Sequence, residues 1–268
     1  MLIEKQFNTG EVTINYAEGD TVGAPLVLLH GATLHWQDYE PLLPELEMNW
    51  HIYACDLRGH GKSSRTSSDY RAVDFIPDTT AFIQGTIRKP VVLIGHSNGG
   101  IIALGVAAQI PDLILSVVLL DPSLCLRESS LQTIAPYEWF VGVRDILTSV
   151  RSPEVVIPAF NPGIDEIGLQ NATAMIQNVD PASVAVMFND QFYDGLDIRH
   201  VMQNVICPTL LLYGEIEAGA IVRPTDVEFF QTHVSKGTVI QIKGAGHSPH
   251  WDQPAQVLKY INEFLGEA

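Results

Sequence analysis

Cysteine is scarce in this chain, and its pattern excludes two architectures. Cys55, Cys125 and Cys207 are three among 268 residues, an odd and widely spaced set without a C-x-x-C pair. They provide neither a disulfide framework nor a zinc site, so a reducing, cytoplasmic compartment is the expectation. Long apolar runs are missing too. No uninterrupted stretch approaches the ~20 residues that cross a bilayer, and the start of the chain, around Glu4 and Lys5, lacks the apolar core of an export signal. Basic residues are in deficit: 15 Lys and Arg stand against 31 Asp and Glu, for a net charge of -16. That balance repels phosphate backbones and anionic lipid surfaces, which argues against nucleic-acid or membrane partners and for solubility.

What is abundant is apolar side chain. With 46% hydrophobic and 17% charged residues, the chain can fill a large interior without staples or metals, and disorder is excluded. Repeats and low-complexity tracts are absent from the sequence. Residues 3–7 and 12–16 alternate in polarity around Asn8-Thr9-Gly10-Glu11, the signature of a hairpin at a sheet edge. Short, nearly continuous apolar runs follow at 25–30, 51–56, 91–95, 117–120, 209–213 and 239–242, as expected of parallel strands buried on both faces. Stretches of helical length lie between most of them, at 36–46, 71–87, 98–109 and 226–234. Strand alternating with helix predicts a parallel sheet with right-handed crossovers.

The rhythm breaks once. Between Asp121 and Cys207 more than eighty residues contain no convincing buried strand. Prolines at 122, 136, 153, 158, 162 and 181 divide this stretch into short helices, each proline ending the helix before it. The predicted organisation is a core formed by residues 1–121 and 203–268, with a helical cap inserted at 122–202.

Directly after the strand ending at Ile94 comes Gly95-His96-Ser97-Asn98-Gly99, then a run of helical length. This is G-x-S-x-G between strand and helix, where the turn is too tight for Cβ atoms two residues to either side of the serine. The serine is pushed above the sheet at a helix N-terminus, where unpaired N–H groups favour a developing oxyanion. Ser97 is therefore the candidate nucleophile. His247, between Gly246 and Ser248 after the last predicted strand, is the candidate base. An imidazole with a pKa of about 6.5 can accept a proton from serine and return it at neutral pH. Of the other histidines, His96 is expected to point into structure, His250 to pack before the C-terminal helix, and His30 to order its own loop. Trp36 is open between walling a pocket and covering core.

Over nearly its whole length the chain resembles the α/β-hydrolase superfamily. Besides the serine motif, the resemblance rests on His30-Gly31-Ala32, similar to the H-G-x oxyanion loop, on Asp56-Leu57-Arg58-Gly59-His60-Gly61-Lys62-Ser63, similar to the D-x-R-G-x-G-x-S turn, and on Gly244-Ala245-Gly246-His247-Ser248-Pro249, similar to the histidine loop. The cap at its usual place after the sixth strand completes it. The implied fold is α/β: a mostly parallel central sheet flanked by helices.

Two acids compete for the third site position. Asp121 follows Leu120 at the tip of the strand after the serine strand; Glu217 falls in Gly214-Glu215-Ile216-Glu217, which matches the superfamily's more common G-x-x-D frame with glutamate substituted. Asp121 is preferred, because an unpaired acid at an apolar strand tip would be costly. The resemblance also implies an oxyanion hole from the backbone amides of Asn98 and Ala32, with no metal or organic cofactor. The expected substrate is a small ester-type molecule, lactones included, cleaved through an acyl-enzyme, while oligomeric state stays open. The aromatic and Met residues of the insertion, Tyr137, Trp139, Phe140, Phe160, Met187, Phe188, Phe192 and Tyr193, are candidates to line an apolar pocket of moderate size. Rival readings are a carbon–carbon bond hydrolase acting on a diketone and a ligand receptor built on the same fold. Alkyl-halide or epoxide hydrolysis in this fold uses an aspartate where Ser97 stands.

Overall fold

The computed structural model describes residues 2–67 and 69–267. Among these, eight strands form a single sheet: β1 (Ile3–Asn8), β2 (Thr13–Glu18), β3 (Pro25–Leu29), β4 (His51–Cys55), β5 (Val91–His96), β6 (Ile114–Leu120), β7 (Thr209–Tyr213) and β8 (Gly237–Gln241), in the spatial order β1-β2-β4-β3-β5-β6-β7-β8. The predicted hairpin, β1 and β2, joins at one edge in antiparallel fashion. The pairings from β4 through β8 are all parallel. The helices are α1 (Leu43–Leu46), α2 (Ala72–Phe82), α3 (Asn98–Gln109), α4 (Tyr137–Leu147), α5 (Pro153–Phe160), α6 (Glu166–Gln177), α7 (Pro181–Phe188), α8 (Ile198–Gln203), α9 (Pro224–His233), α10 (Pro249–Asp252) and α11 (Pro254–Glu267).

Continuous apolar strands are required here because both faces of the sheet are covered. Val27, Leu29, Leu93, Val117, Leu119 and Leu211 point to the face packed by α2 and α3, while Leu26, Leu28, Ile94, Val118, Leu120 and Leu210 point to the face packed by α1 and α11. Each central strand thus feeds two cores through its two-residue alternation.

No strand occurs between β6 and β7 among the described residues; α4 to α8 fill that interval. Pro153 and Pro181 open α5 and α7 at the first helical position, where a missing N–H costs nothing, and Pro136 caps α4. Pro158 does not end its helix as expected. It lies inside α5, two residues before the helix stops at Phe160. The stretch predicted as one helix at 36–46 is two short turns, Trp36–Tyr39 and α1. Residues 198–203, mostly counted with the insertion from sequence, form α8, which packs on α3 and α9. Cys55, Cys125 and Cys207 are buried free thiols. No helix among the described residues is long and apolar enough to cross a membrane.

Candidate active site

The turn from β5 into α3 is held by close approach on both sides of the serine. A Cβ at Gly95 would meet the Gly99 carbonyl oxygen at 2.3 Å, and one at Gly99 would meet the Leu29 carbonyl oxygen at 2.1 Å, so only glycine fits at either position. Ser97 itself adopts φ 51° and ψ -118°, a strained conformation for a non-glycine residue, and its N–H donates to the Leu120 carbonyl at 3.0 Å. The hydroxyl is thereby presented above the sheet, next to the loop that follows β8.

That loop brings His247 to the serine. His247 Nε2 lies 3.1 Å from Ser97 Oγ, and His247 Nδ1 lies 2.7 Å from Asp121 Oδ2. Asp121 is fully buried, sits at the tip of β6 with φ 41°, and accepts a further hydrogen bond from the Ile221 N–H at 2.9 Å on the same oxygen. Glu217 is exposed, in the short turn Ile216–Ala218 after β7. Of the two acids weighed from sequence, the fold therefore brings Asp121 to the histidine and leaves Glu217 in solvent. A serine hydroxyl, an imidazole and a carboxylate in this chain of contacts can pass a proton from oxygen to nitrogen while the carboxylate stabilises the imidazolium.

Asn98 follows the serine in the chain, and Ala32 follows Gly31, which packs closely on the serine turn. Both line a small cavity of about 20 Å³, whose wall also includes Thr33, His60, Tyr70 and Phe75 from the sheet side and Phe140, Val184, Met187 and Phe192 from the helical insertion. Of the insertion's candidate aromatic and Met residues, Phe140, Met187 and Phe192 reach this wall. Trp139 instead donates its indole N–H to Thr33 Oγ1 at 3.0 Å and stacks edge-on against Phe160; Tyr137 pairs with Phe188; Tyr193 donates to the Ser123 carbonyl at 3.1 Å. No Lys or Arg lines the cavity among the described residues.

The loop after β4 is built around two buried carboxylates. Asp56 accepts from the Trp36 N–H at 2.9 Å, the Lys62 N–H at 3.0 Å and the Asn15 amide at 2.8 Å, while Asp78 receives the Arg58 guanidinium through two bonds of 2.6 and 2.8 Å. The D-x-R-G-x-G-x-S turn is thus structural, and it delivers His60 to the cavity wall. Burial pushes the His60 imidazole down to about 4. Trp36 does not wall the cavity; its indole N–H reaches Glu4 at 3.0 Å. Sequence pattern missed His60 and Tyr70 as wall residues, because the connection between β4 and α2 shows no periodicity that would aim them, and missed Phe75, a buried residue of α2 that sequence reads only as part of the helix's apolar face. Asp38 was missed as well: it contacts both His96 and His250 beneath the serine turn.

The alpha/beta hydrolase family model matches residues 26–259. A 2-(acetamidomethylene)succinate hydrolase of Mesorhizobium japonicum is 26% identical over 98% of this chain and 95% of its own length. Human epoxide hydrolase 4 is 25% identical, covering 94% of this chain and 75% of its own. A crystal structure of E-2-(acetamidomethylene)succinate hydrolase superposes with a TM-score of 0.77 at 22% identity, over 99% of this chain and 100% of that one.

Proposed function

The chain belongs to the alpha/beta hydrolase family, and from that premise we propose that it is a serine hydrolase cleaving a short, uncharged carboxylic ester or lactone through an acyl-enzyme. The observation that carries this reading is the contact chain Ser97 Oγ, His247 Nε2, His247 Nδ1, Asp121 Oδ2 at 3.1 and 2.7 Å. In the proposed cycle His247 takes the Ser97 proton as the oxygen attacks the carbonyl, then donates it to the leaving alcohol. Water, activated by the same imidazole, releases the acid and restores the serine. The amides of Asn98 and Ala32 would receive the oxyanion. In support, the two residues share one cavity wall, and Gly31, just before Ala32, packs so closely on the turn that a Cβ there would lie 3.2 Å from Ser97 Cβ.

Epoxide opening is disfavoured on chemical grounds, despite the relative of that name. Attack by a carboxylate on an epoxide leaves an ester, which water can hydrolyse; attack by Ser97 would leave an alkyl ether, which it cannot. A dianionic succinate derivative is disfavoured because the cavity wall holds no cation to neutralise it and the chain as a whole carries a net charge of -16. The cavity of about 20 Å³, whose wall includes Asn98 but neither Ser97 nor His247, has room for one water or a methyl-sized group; within this reading it favours a short acyl chain, at the small end of the moderate size expected from sequence, under the helical insertion, which acts as a cap.

The test is a panel of p-nitrophenyl esters from acetate to octanoate, together with simple lactones, run on wild type and Ser97→Ala. Turnover falling with acyl length and vanishing in the variant is expected. Equal turnover in both proteins would remove Ser97 as nucleophile; ligand binding with negligible wild-type turnover would favour the receptor reading, and cleavage of diketones in place of esters the carbon–carbon reading.

A further inference from the structure

Beneath the His247 loop lies a second cluster of ionisable side chains that the proposed reaction does not use. Asp38, in the turn Trp36–Tyr39, His96, the last residue of β5, and His250, in α10, are all buried, with their polar atoms within 4.8 Å of one another. Asp38 Oδ2 is 3.0 Å from His96 Nδ1, and Asp38 Oδ1 is 3.1 Å from His250 Nε2. The Trp251 indole N–H donates to the Asp38 carbonyl at 2.8 Å. The second nitrogen of His96, Nε2, lies 2.9 Å from the main-chain carbonyl oxygen of His247.

The partners of each buried imidazole fix its protons, since a ring nitrogen facing an acceptor must carry hydrogen and one facing a donor must not. His30 has one of each: Nδ1 faces the Gly31 carbonyl at 2.7 Å and Nε2 receives the Leu57 N–H at 3.0 Å. His60 repeats the pattern, with the Arg58 carbonyl at 2.9 Å on Nδ1 and the Thr33 N–H at 3.2 Å on Nε2. Both are neutral. His96 faces a carboxylate on one side and a carbonyl on the other, two acceptors, which calls for two N–H groups. His250 presents Nε2–H to Asp38, and its buried Nδ1 has no hydrogen-bond partner among the described residues, as suits a bare nitrogen.

We infer that His96 is an imidazolium ion-paired with Asp38 and that its Nε2–H clamps the His247 main chain, setting the distance from the His247 ring to Ser97. His96 and Asp38 are thus positioning residues, and this role rests on the proposed reaction. The charged groups around His96 agree with the assignment. Burial alone would depress its imidazole, but the Asp38 charge, their hydrogen bond and the His247 carbonyl raise it, with Asp121 adding in the same sense. Asp38 is held well below the ordinary carboxylate range, its burial more than offset by His250 and His96. His250 is depressed, by burial first and by its two histidine neighbours, His96 and His247. Tyr39, stacked on His250, donates its hydroxyl to the Leu29 carbonyl and takes no proton from the cluster.

The test is a ring-nitrogen NMR spectrum of histidine-labelled protein, with the His96 signals assigned by His96→Gln. At pH 7.5 both His96 nitrogens should resonate as protonated, while His30 and His60 each show one protonated and one bare nitrogen. A bare His96 nitrogen overturns the inference, and uptake of one Zn²⁺ that perturbs the His96 and His250 rings together would give the cluster to a metal instead. In Asp38→Asn the His96 ring should lose its second proton and kcat should fall by about 10- to 100-fold with KM nearly unchanged, the cost of a small misplacement of a reacting group. An unchanged kcat in a variant whose His96 has become neutral would also overturn it. The wild-type spectrum needs no turnover, so if ester hydrolysis survived Ser97→Ala the proposed reaction would fall while the protonation of His96 was still decided.

Discussion

Two helices of equal length show how differently the two halves of the cleft are built. α3, which begins immediately after Ser97, has twelve residues and buries ten of them; α6, in the helical insertion, also has twelve and buries only Ile176. α3 is wedged against the sheet with Ile101, Ile102 and Leu104 fully buried, whereas Ile167, on α6, is 68% exposed and Val155, on neighbouring α5, 64%. The sheet side is therefore a densely packed mount for the proposed chemistry. The insertion is a thinner layer, which in the proposed reaction shapes what enters. The account predicts that changes on the mount act on kcat and stability by orders of magnitude, and that changes in the insertion act on selectivity by much less.

The largest effect belongs to the buried acid on the mount. Asp121→Asn should lower kcat by about 10,000-fold, as expected when an imidazole loses its orienting carboxylate, while Glu217→Gln, on the exposed turn, should stay within about twofold. Steady-state ester hydrolysis checks both; equal losses would erase the distinction between a buried, bonded acid and a solvated one. Next in size is packing. Leu104→Ala should destabilise by about 2–5 kcal/mol in denaturant unfolding, and Ile167→Ala by no more than about 0.5 kcal/mol. A large cost at Ile167 would mean that α6 has a partner surface.

Acid should also attack the mount first. The His60 imidazole, buried and held at about 4, binds fewer protons folded than unfolded. Its contribution is intact above about pH 6.5 and is lost as pH falls toward 4, roughly 3 kcal/mol in all. The buried neutral His30 adds in the same direction. His96 works the other way: its raised value gives stability present below about pH 6.5 and lost as pH rises through it. Unfolding midpoints between pH 4 and 7 in wild type and His60→Gln measure the acid-side term, and the variant should show the weaker dependence. The smallest effect is expected from the insertion wall. Met187→Ala should move the preferred ester toward longer acyl chains by about tenfold in relative kcat/KM, the value of a methylene or two in an apolar pocket.

The same contrast explains what could be read in advance. The strands of the sheet announce themselves as short apolar runs because both faces are covered, and Gly95 and Gly99 announce the serine turn because backbone atoms occupy the space of their side chains. The approach of His247 to Ser97 followed from chain order and loop position. The carboxylate that contacts His247 was less legible, since Asp121 and Glu217 both follow strands and only the path of the 214–222 loop, which places the Ile221 N–H on Asp121, separates them. The insertion was least legible. Aromatic residues that pair away from the cavity, such as Trp139 with Phe160 and Tyr137 with Phe188, look in sequence like Phe140 and Phe192, which reach it. Nothing local marked Asp38 either, because its partners lie 58 and 212 residues away.

The most direct test of the central claim is covalent labelling with a fluorophosphonate, mapped by mass spectrometry. The account predicts one adduct, on Ser97, forming at the wild-type rate in Glu217→Gln and far more slowly in Asp121→Asn. An adduct at another residue, or a labelling rate indifferent to Asp121, would contradict it.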